Sequence, residues 1–343
     1  MKGLAPLQKR YDAITSARLY LLVPGIIIVG NNKYSKKYFI LKMRRAPATD
    51  LHKALKYIVV EEKDEYTKEG VKEYLKQAKV DIKEGKKIYG LLGFIRFLGG
   101  YYLVVITQKQ RVSKICKHSI YCISGTCIYA LFLPNAKDTK YLDMLNSILQ
   151  IGKDFYFSYT YDLTSTLQDS VIKGIKEKNN INTEFVWNWY LLSEFVSIIK
   201  RPGWILPVIF GFVGSAEINN IAFPFSIHII GRRSRFYAGT RYLTRGVNEQ
   251  GKTGNFVEIE QIVEDRRQQA PGRISASSYV HIRGSIPVLW RQGSATKPKP
   301  EIIISEADYM HILTKVHISD LIKRYGKPLV LVNLTKVLLL INS

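Results

Sequence analysis

The chain has 343 residues, of which 46% are hydrophobic and 23% charged, so it can form two domains with a substantial core. That composition excludes a globally disordered protein. The 51 lysines and arginines outnumber the 28 aspartates and glutamates, which gives a formal net charge of +23. Such an excess favours nucleic acid, an anionic membrane or phosphorylated small molecules as partners, and a lysine-rich proteome is the alternative explanation.

The cysteines and the apolar segments indicate where the protein works. Cys116, Cys122 and Cys127 are odd in number and lack the spacing of a zinc site, so we expect a reducing, cytoplasmic compartment and no metal or other cofactor. The N-terminus has no apolar signal-peptide core. The longest apolar stretch, Pro202–Ala216, is shorter than the about 20 residues of a membrane span. Any membrane contact is therefore expected to be peripheral.

The first half of the chain predicts strands with a few covering helices. Ala17–Met43 reads as strand, turn and strand, with the turn at residues 30–32. Thr67 can cap a helix whose apolar positions are helically spaced up to Val80. Further strands are predicted at three segments and a helix at a fourth: Tyr101–Thr107, Ile120–Ile123 and Ile128–Leu133 for the strands, and Tyr141–Ile148 for the helix.

The second half begins with an aromatic strand, Phe155–Tyr161, after which Asp162 can cap a helix. Phe185–Ile199 predicts a buried helix. The remaining predicted strands are Trp204–Val213, Pro224–Ile230, Phe256–Val263, Ser278–Trp290 and Pro328–Leu334. We place the boundary between two domains near the aromatic strand, which divides the chain into residues 1–160 and 161–343.

Several familiar catalytic motifs are absent from the sequence. It contains neither a G-x-S-x-G nucleophile elbow nor a phosphate-binding P-loop, and its glycines do not follow the dinucleotide-binding order. A cysteine nucleophile for phosphate chemistry would be closed by an arginine, in the pattern C-x-x-x-x-x-R. The residues six positions after the three cysteines are Cys122, Ile128 and Leu133, so this pattern is absent too.

One segment nevertheless concentrates positive charge. Five arginines fall within Arg232–Arg245, and glycines follow at positions 246, 251 and 254. Arginine forks suit phosphate oxygens, and glycines let the backbone approach a ligand. The candidates for contact with a phosphate or an anionic membrane are Arg232, Arg233, Arg241, Arg245 and Lys252. An ordinary solvated basic loop is the alternative.

Two glutamates follow the basic segment on a predicted strand. Glu258 and Glu260 point to one face of that strand, and Val257 and Ile259 point to the other. Paired carboxylates can act as a general acid and base. Glutamates beside an arginine cluster more often serve as structural ion-pair partners, and we favour that role here.

Taken together, several segments resemble the SAC domain of phosphoinositide phosphatases. They occur in the family's order from about Tyr20 to Leu334: GFIRFLGGYYLVVIT, FYFSYTYDLTSTLQ, IHIIGRRSRFYAGTRYLTRGVNEQGKTGNFVEIEQIV and SSYVHIRGSIPVLWRQ. NNKYSKKYFILKMRR and KPKPEIIISEAD are similar to the members that remove the 5-phosphate of phosphatidylinositol 3,5-bisphosphate.

The resemblance implies a mixed α/β fold, with a layered N-terminal subdomain and a catalytic subdomain on a mixed sheet. It implies a phosphoinositide lipid substrate, a phosphocysteine intermediate and a peripheral place on endosomal and vacuolar membranes. It also implies a complex with a scaffold and the opposing phosphoinositide 5-kinase. No nucleic-acid motif accompanies the charge, so nucleic acid is not an expected partner.

The family's nucleophilic cysteine and phosphate-binding arginine stand in a C-x-x-x-x-x-R motif beyond the equivalent of Leu334. This chain ends at Ser343 without that motif. From the sequence we therefore expect a C-terminally truncated SAC domain with an incomplete catalytic subdomain and no activity of its own. The alternative function is that of a non-catalytic protein that binds a membrane or the scaffold.

Overall fold

A computed structural model describes residues 13–22, 25–45, 57–98, 100–131, 136–150, 154–173, 181–219, 222–240, 243–267, 275–293, 302–308 and 310–332. The chain divides into two compact units. The larger comprises Met1–Arg235 with Val257–Ile282, and the smaller comprises Phe236–Phe256 with Arg283–Ser343. The boundary predicted near residue 160 is a different division and stays a prediction. The mixed α/β fold class is confirmed by two large sheets and five helices in the described residues.

The larger unit contains a five-stranded sheet near its N-terminus. Its order is β4-β3-β2-β1-β5, and each strand is antiparallel to its neighbour. The strands are β1 (Ser16–Leu22), β2 (Gly25–Asn32), β3 (Lys37–Arg45), β4 (Tyr57–Glu61) and β5 (Lys86–Ile88). The predicted first strand of Ala17–Met43 is therefore two strands. The predicted turn lies slightly later, where the Asn32 side chain accepts hydrogen bonds from the backbone N–H groups of Tyr34 and Ser35.

Helix α1 (Lys68–Gln77) covers one face of this sheet. The Thr67 side chain accepts a hydrogen bond from the backbone N–H of Gly70, so the predicted N-cap is confirmed. Val71 and Leu75 are the buried residues of the helix, and they pack in one apolar cluster with Ile40. Its lysines and glutamates face solvent, because the apolar positions repeat with the helical period.

An eight-stranded sheet forms the rest of the larger unit, in the order β13-β12-β11-β10-β9-β8-β7-β6. Its pairings from β6 to β12 are all antiparallel. The strands are β6 (Gly90–Phe97), β7 (Gly100–Ile115), β8 (His118–Ala130), β9 (Phe155–Phe157), β10 (Ile209–Ile218), β11 (Phe225–Arg233), β12 (Val257–Asp265) and β13 (Ser275–Arg283).

The β7–β8 hairpin is longer than the sequence predicted. The two segments predicted as separate strands, Ile120–Ile123 and Ile128–Leu133, belong to the single strand β8. Cys116 and Lys117 turn the chain with positive φ angles of 47° and 70°. This is the left-handed pairing of a two-residue hairpin turn. This turn could not be predicted from the sequence, because neither residue is a glycine or an asparagine.

Three further helices belong to the larger unit: α2 (Thr139–Gln150), α3 (Leu167–Lys173) and α4 (Trp189–Ile198). The predicted helix over Tyr141–Ile148 is confirmed by α2. The predicted Phe185–Ile199 helix begins later, at Trp189. Leu192 and Phe195 of α4 lie in the main core cluster, with residues of both sheets such as Leu41 and Leu103.

The later strand predictions are confirmed in part. The predicted Ser278–Trp290 strand is interrupted between β13 and β14 (Trp290–Gln292). The Phe155–Tyr161 strand is confirmed only over its first three residues. The Pro328–Leu334 strand is wrong over its described part, where residues 328–332 have no strand pairing and Val330 and Leu331 are 84% and 74% exposed.

The smaller unit combines a short hairpin, a helix and a glycine-rich loop. Strand β14 pairs antiparallel with β15 (Ile302–Ile304), and helix α5 spans Ile312–Tyr325. The loop folds back on itself through a bridge between Val247 and Thr253.

Gly93 on β6 allows the backbone of α4 to approach closely. Its φ is +126°, and a Cβ there would overlap the carbonyl group of Leu191. We expect Gly93→Ala to lower the free energy of unfolding by about 2–4 kcal/mol, because it adds backbone strain to a clash with main-chain atoms. Urea titration measures this. Gly70→Ala on α1 is the control and should stabilise the protein by about 0.5–1 kcal/mol, since nothing there lies closer than 3.5 Å. Equal unfolding midpoints for the two variants would contradict the close approach.

Candidate functional site

The first arginine of the basic segment, Arg232, meets the two glutamates on the buried face of the eight-stranded sheet. Arg232 on β11 stands opposite Glu258 on β12, and Ile230 stands opposite Glu260. The Arg232 guanidinium donates to Glu258 at 2.7 Å and to Glu260 at 2.5 Å. The side chains of Arg232 and Glu260 are fully buried, and that of Glu258 is 3% exposed. The alternation of β12 thus turns its carboxylates inward.

Backbone groups complete the surroundings of these three residues. Arg232 also donates to the carbonyl oxygens of Leu163 at 2.5 Å and Ser165 at 3.0 Å. On the other side, Glu260 accepts hydrogen bonds from the backbone N–H of Leu167 at 2.6 Å and from the Ser278 hydroxyl at 2.7 Å. We call Arg232, Glu258 and Glu260 the buried ion triad. It connects β11, β12 and β13 to the segment that enters α3.

The carboxylates of the triad stabilise the charged form of the Arg232 guanidinium. Burial alone would lower the pKa of Arg232, but the carboxylates of Glu260 and Glu258 outweigh it, so that pKa is raised. Burial, followed by the charge of Glu260, raises the pKa of Tyr161 well above its ordinary value. The guanidinium is therefore a permanent cation and the phenol stays protonated.

This burial separates Arg232 from the other predicted phosphate contacts. Its guanidinium faces two carboxylates and has no exposed surface, so phosphate contact stays a prediction only for the remaining four residues. Arg233 is partly buried, and its guanidinium lies 5.8 Å from the ring centres of both Trp187 and Phe210. Arg241 lies outside the described residues.

Arg245 and Lys252 belong to the smaller unit. Arg245 donates from Nε to the side-chain oxygen of Gln292 at 3.0 Å and lies 5.4 Å from the Trp290 ring centre. Lys252 pairs with Asp320 of α5 at 2.9 Å. Both are half-buried. The sequence-predicted residues thus fall into two groups, one in each unit.

Glycines shape the loop that carries these two residues. Gly246 has a φ of +70°, and a Cβ there would lie 2.5 Å from the carbonyl oxygen of Val288. Its N–H donates to the Ser285 hydroxyl at 2.8 Å. A Cβ on Gly254 would lie 2.6 Å from the Thr244 carbonyl oxygen. These glycines allow close backbone packing within the smaller unit, in addition to any role in approaching a ligand.

A second polar network near the triad was missed from the sequence. His228 on β11 contacts the Ser215 hydroxyl through Nδ1 at 2.6 Å and Glu264 through Nε2 at 3.5 Å. Glu264 accepts the backbone N–H of Cys116 at 3.0 Å. Burial would raise the pKa of Glu264, but its hydrogen bonds from His228 and Cys116 outweigh it and the pKa is lowered. The network joins the β7–β8 turn to β12, and the residues involved are too far apart in sequence to form a motif.

The cysteines are placed unfavourably for nucleophilic chemistry. Cys116 and Cys122 are buried and Cys127 is partly buried, and all three are free thiols. Burial, followed by the charges of Glu264 and Glu260, raises the pKa of Cys116 to about 12. Its thiol is therefore protonated at neutral pH, whereas the thiolate is the nucleophile.

The described part of the chain offers neither a cluster of metal ligands nor a helix that could span a membrane. Within the ranges given above, no group of three or more His, Cys, Asp or Glu side chains is arranged to hold a metal ion. Among the same residues, none of the helices has the length and apolar character needed to cross a bilayer.

Comparison with known proteins decides the family. The sequence matches the family model described as SacI homology domain over residues 89–337. The chain belongs to the SacI homology domain family. The resemblance to SAC domains inferred from the motifs is thereby confirmed, and the buried ion triad lies within the matched part of this SAC domain.

Named relatives agree with this assignment. The chain is 35% identical over 338 residues to the phosphoinositide phosphatase SAC2 of Arabidopsis thaliana. The aligned region covers 93% of this chain and 40% of the relative. It is 32% identical over 342 residues to the polyphosphoinositide phosphatase of Schizosaccharomyces pombe, and the alignment covers 95% of this chain and 40% of that protein. The identity to the phosphatidylinositol-3-phosphatase SAC1 of Arabidopsis thaliana is 32%, and the alignment covers 94% of this chain and 36% of that protein. The chain spans about two fifths of the length of these relatives.

The triad predicts a large cost for removing its cation. Arg232→Met leaves two carboxylates buried without their partner, and we expect the free energy of unfolding to fall by about 3–5 kcal/mol. Chemical denaturation measures the loss. Arg266→Met is the matched control, because Arg266 pairs with Glu217 at the surface, where such pairs contribute about 0–1 kcal/mol. If both variants unfold at the denaturant concentration of the parent protein, the triad is not a stabilising centre.

The raised pKa of Cys116 predicts slow alkylation. At pH 7.5 we expect native protein to leave Cys116 unmodified by iodoacetamide and denatured protein to react at the ordinary rate of a free cysteine, because only the thiolate attacks the reagent. Peptide mass spectrometry measures both rates. Rapid alkylation of Cys116 in the native protein would contradict its described burial.

Proposed function

We propose that this SAC domain is part of a phosphoinositide phosphatase that removes the 5-phosphate of phosphatidylinositol 3,5-bisphosphate. The single observation that supports it best is the 32% identity to the Schizosaccharomyces pombe polyphosphoinositide phosphatase along 95% of the chain. The segments NNKYSKKYFILKMRR and KPKPEIIISEAD, which resemble members with this activity, support the choice of substrate. Phosphoinositide phosphatases among the other relatives support the class of reaction.

The proposed reaction needs a thiolate that these residues do not supply. A phosphocysteine intermediate forms when a low-pKa cysteine attacks phosphorus, while backbone N–H groups and an arginine stabilise the phosphate oxygens. The sequence contains no cysteine followed by arginine at the sixth position, and the thiol of Cys116 is held in its protonated form. We therefore propose that the 343 residues alone are inactive.

Within this proposal the basic segment has two roles. The buried ion triad holds the sheet and the segment before α3 in register. Arg233, Arg241, Arg245 and Lys252 are the candidates for contact with a lipid phosphate or an anionic membrane. Lys252 is also paired with Asp320, so a phosphate would have to compete with that carboxylate. The proposed cellular setting is the endosomal or vacuolar membrane, in a complex with a scaffold and a phosphoinositide 5-kinase.

A second candidate function is non-catalytic binding to a membrane or to the scaffold. The net charge of +23 favours it, because cationic surfaces attract anionic lipids without chemistry. Both candidates share the phosphoinositide setting and differ in turnover.

The phosphatase proposal predicts no phosphate release from this chain and phosphate release from a SAC protein of the relatives' length. With short-chain phosphatidylinositol 3,5-bisphosphate, we expect no phosphate release from the 343-residue chain in a malachite-green assay. A SAC protein of the relatives' length, assayed in parallel, is the positive control and should release phosphate. Robust turnover by the 343 residues, retained after all three cysteines are changed to serine, would contradict the phosphocysteine proposal.

The binding alternative predicts an effect of lipid charge. We expect the chain to float with phosphatidylcholine vesicles that contain phosphatidylinositol 3,5-bisphosphate and to remain in solution with phosphatidylcholine alone. Binding should weaken as salt is raised, because exposed charges are screened within about 8 Å at physiological ionic strength. Absence from both vesicle fractions, together with no capture of the scaffold, would reject this alternative.

A further inference from the structure

A lysine enclosed by aromatic rings lies in the larger unit, apart from the buried ion triad. The ammonium of Lys109 on β7 lies 3.9 Å from the ring centre of Tyr121, 4.3 Å from that of Tyr159 and 4.9 Å from that of Tyr89. Rings at such distances attract a cation through their quadrupoles. The lysine is half-buried, so part of its surface remains open to solvent.

Hydrogen bonds orient the ammonium and one ring. Lys109 donates to the hydroxyl oxygen of Tyr159 at 3.1 Å, and that hydroxyl donates to the backbone carbonyl of Tyr89 at 2.6 Å. An ammonium has three N–H donors. Tyr159 accepts one of them, and the described residues supply no acceptor for the other two.

Two further lysines lie near this ammonium. Lys33 is in the turn after β2 and Lys87 is on β5, and both are exposed. Burial, followed by the positive charges of Lys33 and Lys87, lowers the pKa of Lys109 to about 8. The Lys87 ammonium lies 5.2 Å from the ring centre of Tyr89, one of the rings that enclose Lys109. Among the described residues, none of the three lysines has a carboxylate partner.

This arrangement is unfavourable for stability and favourable for an anion. A half-buried ammonium beside two like charges carries an electrostatic cost. One neighbouring carboxylate would offset that cost, and a methionine of similar length in place of the lysine would remove it. Neither is present. Several other cations of the larger unit do have carboxylate partners, as Lys37 has Glu65 and Arg201 has Glu61. Clusters of charge that reduce stability are expected where a ligand compensates them.

We propose that Lys33, Lys87 and Lys109, with the enclosing tyrosines, form a binding site for a phosphate monoester. The dianion would meet three ammonium groups, and the open N–H donors of Lys109 would form charge-assisted hydrogen bonds to its oxygens. The rings position the central lysine and keep it partly dehydrated, which strengthens its attraction for the anion. The site requires no phosphatase activity, so it extends beyond the proposed function.

Two sources could supply this phosphate, a phosphoinositide headgroup in a membrane or a free inositol phosphate. The test uses the 343-residue chain with soluble inositol 1,3,5-trisphosphate in calorimetry, and with phosphatidylcholine vesicles that contain or lack phosphatidylinositol 3,5-bisphosphate. Binding to the soluble probe identifies the phosphate group itself as sufficient. Binding to the lipid vesicles only identifies a membrane-presented headgroup.

Matched variants locate the binding. We expect Lys33→Gln/Lys87→Gln to weaken binding at least tenfold, and Lys109→Met to do the same without loss of stability. Lys68→Gln/Lys72→Gln on the exposed face of α1 removes the same net charge and should change binding less than twofold. The pKa of Lys109, followed by NMR of its side-chain carbon, should rise from about 8 when the probe binds, because an anion favours the charged amine.

The proposal is overturned by any of three results: no binding to either probe, equal weakening by the two double variants, or an unchanged pKa of Lys109 in the bound state. Tighter binding to single-stranded RNA than to both phosphate probes would also overturn it, in favour of base stacking on the tyrosines. None of these outcomes depends on turnover, so failure here is distinguishable from failure of the phosphatase proposal.

Discussion

The guanidinium of Arg232 is a full charge with no exposed surface, and the surrounding structure has to compensate it. Two carboxylates and two backbone carbonyls do so, each at hydrogen-bond distance. Those partners come from β12 and from the segment before α3, and Glu260 extends the connection to β13 through Ser278. Because an uncompensated buried charge is so costly, the register of three strands and the path into α3 depend on one side chain.

Because of this interaction, the arginines of the basic segment do not form a single phosphate-binding patch. In the sequence, the arginines from 232 to 245 look like one patch that meets a polyanion. In the structure the first of them faces inward and holds the sheet, while Arg245 and Lys252 stand on a glycine-rich loop of the smaller unit. A half-buried positive charge enclosed by aromatic rings lies at Lys109, in a part of the chain where the sequence shows only scattered lysines and tyrosines. Net charge therefore favours a polyanionic partner as a class and cannot indicate where such a partner would bind.

Local patterns predicted what depends on neighbours in sequence. The helical spacing and the Thr67 cap fixed α1, and the alternation on β12 correctly put Glu258 and Glu260 on one face. Which face was buried could not be read, because an inward face that carries carboxylates is stable only if a distant arginine meets it. The Lys109 enclosure joins residues from β7, β8 and two loops, so no spacing rule could find it. The Cys116–Lys117 turn was missed because its left-handed backbone is imposed by the paired strands and not by its residue types.

From its burial and its partners, we infer that Arg232 is a structural cation that does not contact phosphate. The most direct test is NMR of its guanidinium Nε–H in the 343-residue chain, during titration with inositol 1,3,5-trisphosphate. We expect this proton to exchange slowly with water, because it is hydrogen-bonded to the Leu163 carbonyl, and its resonance to stay in place as the probe is added. Rapid exchange with water, or a saturable shift on titration, would place the guanidinium in contact with solvent and phosphate and would contradict the claim.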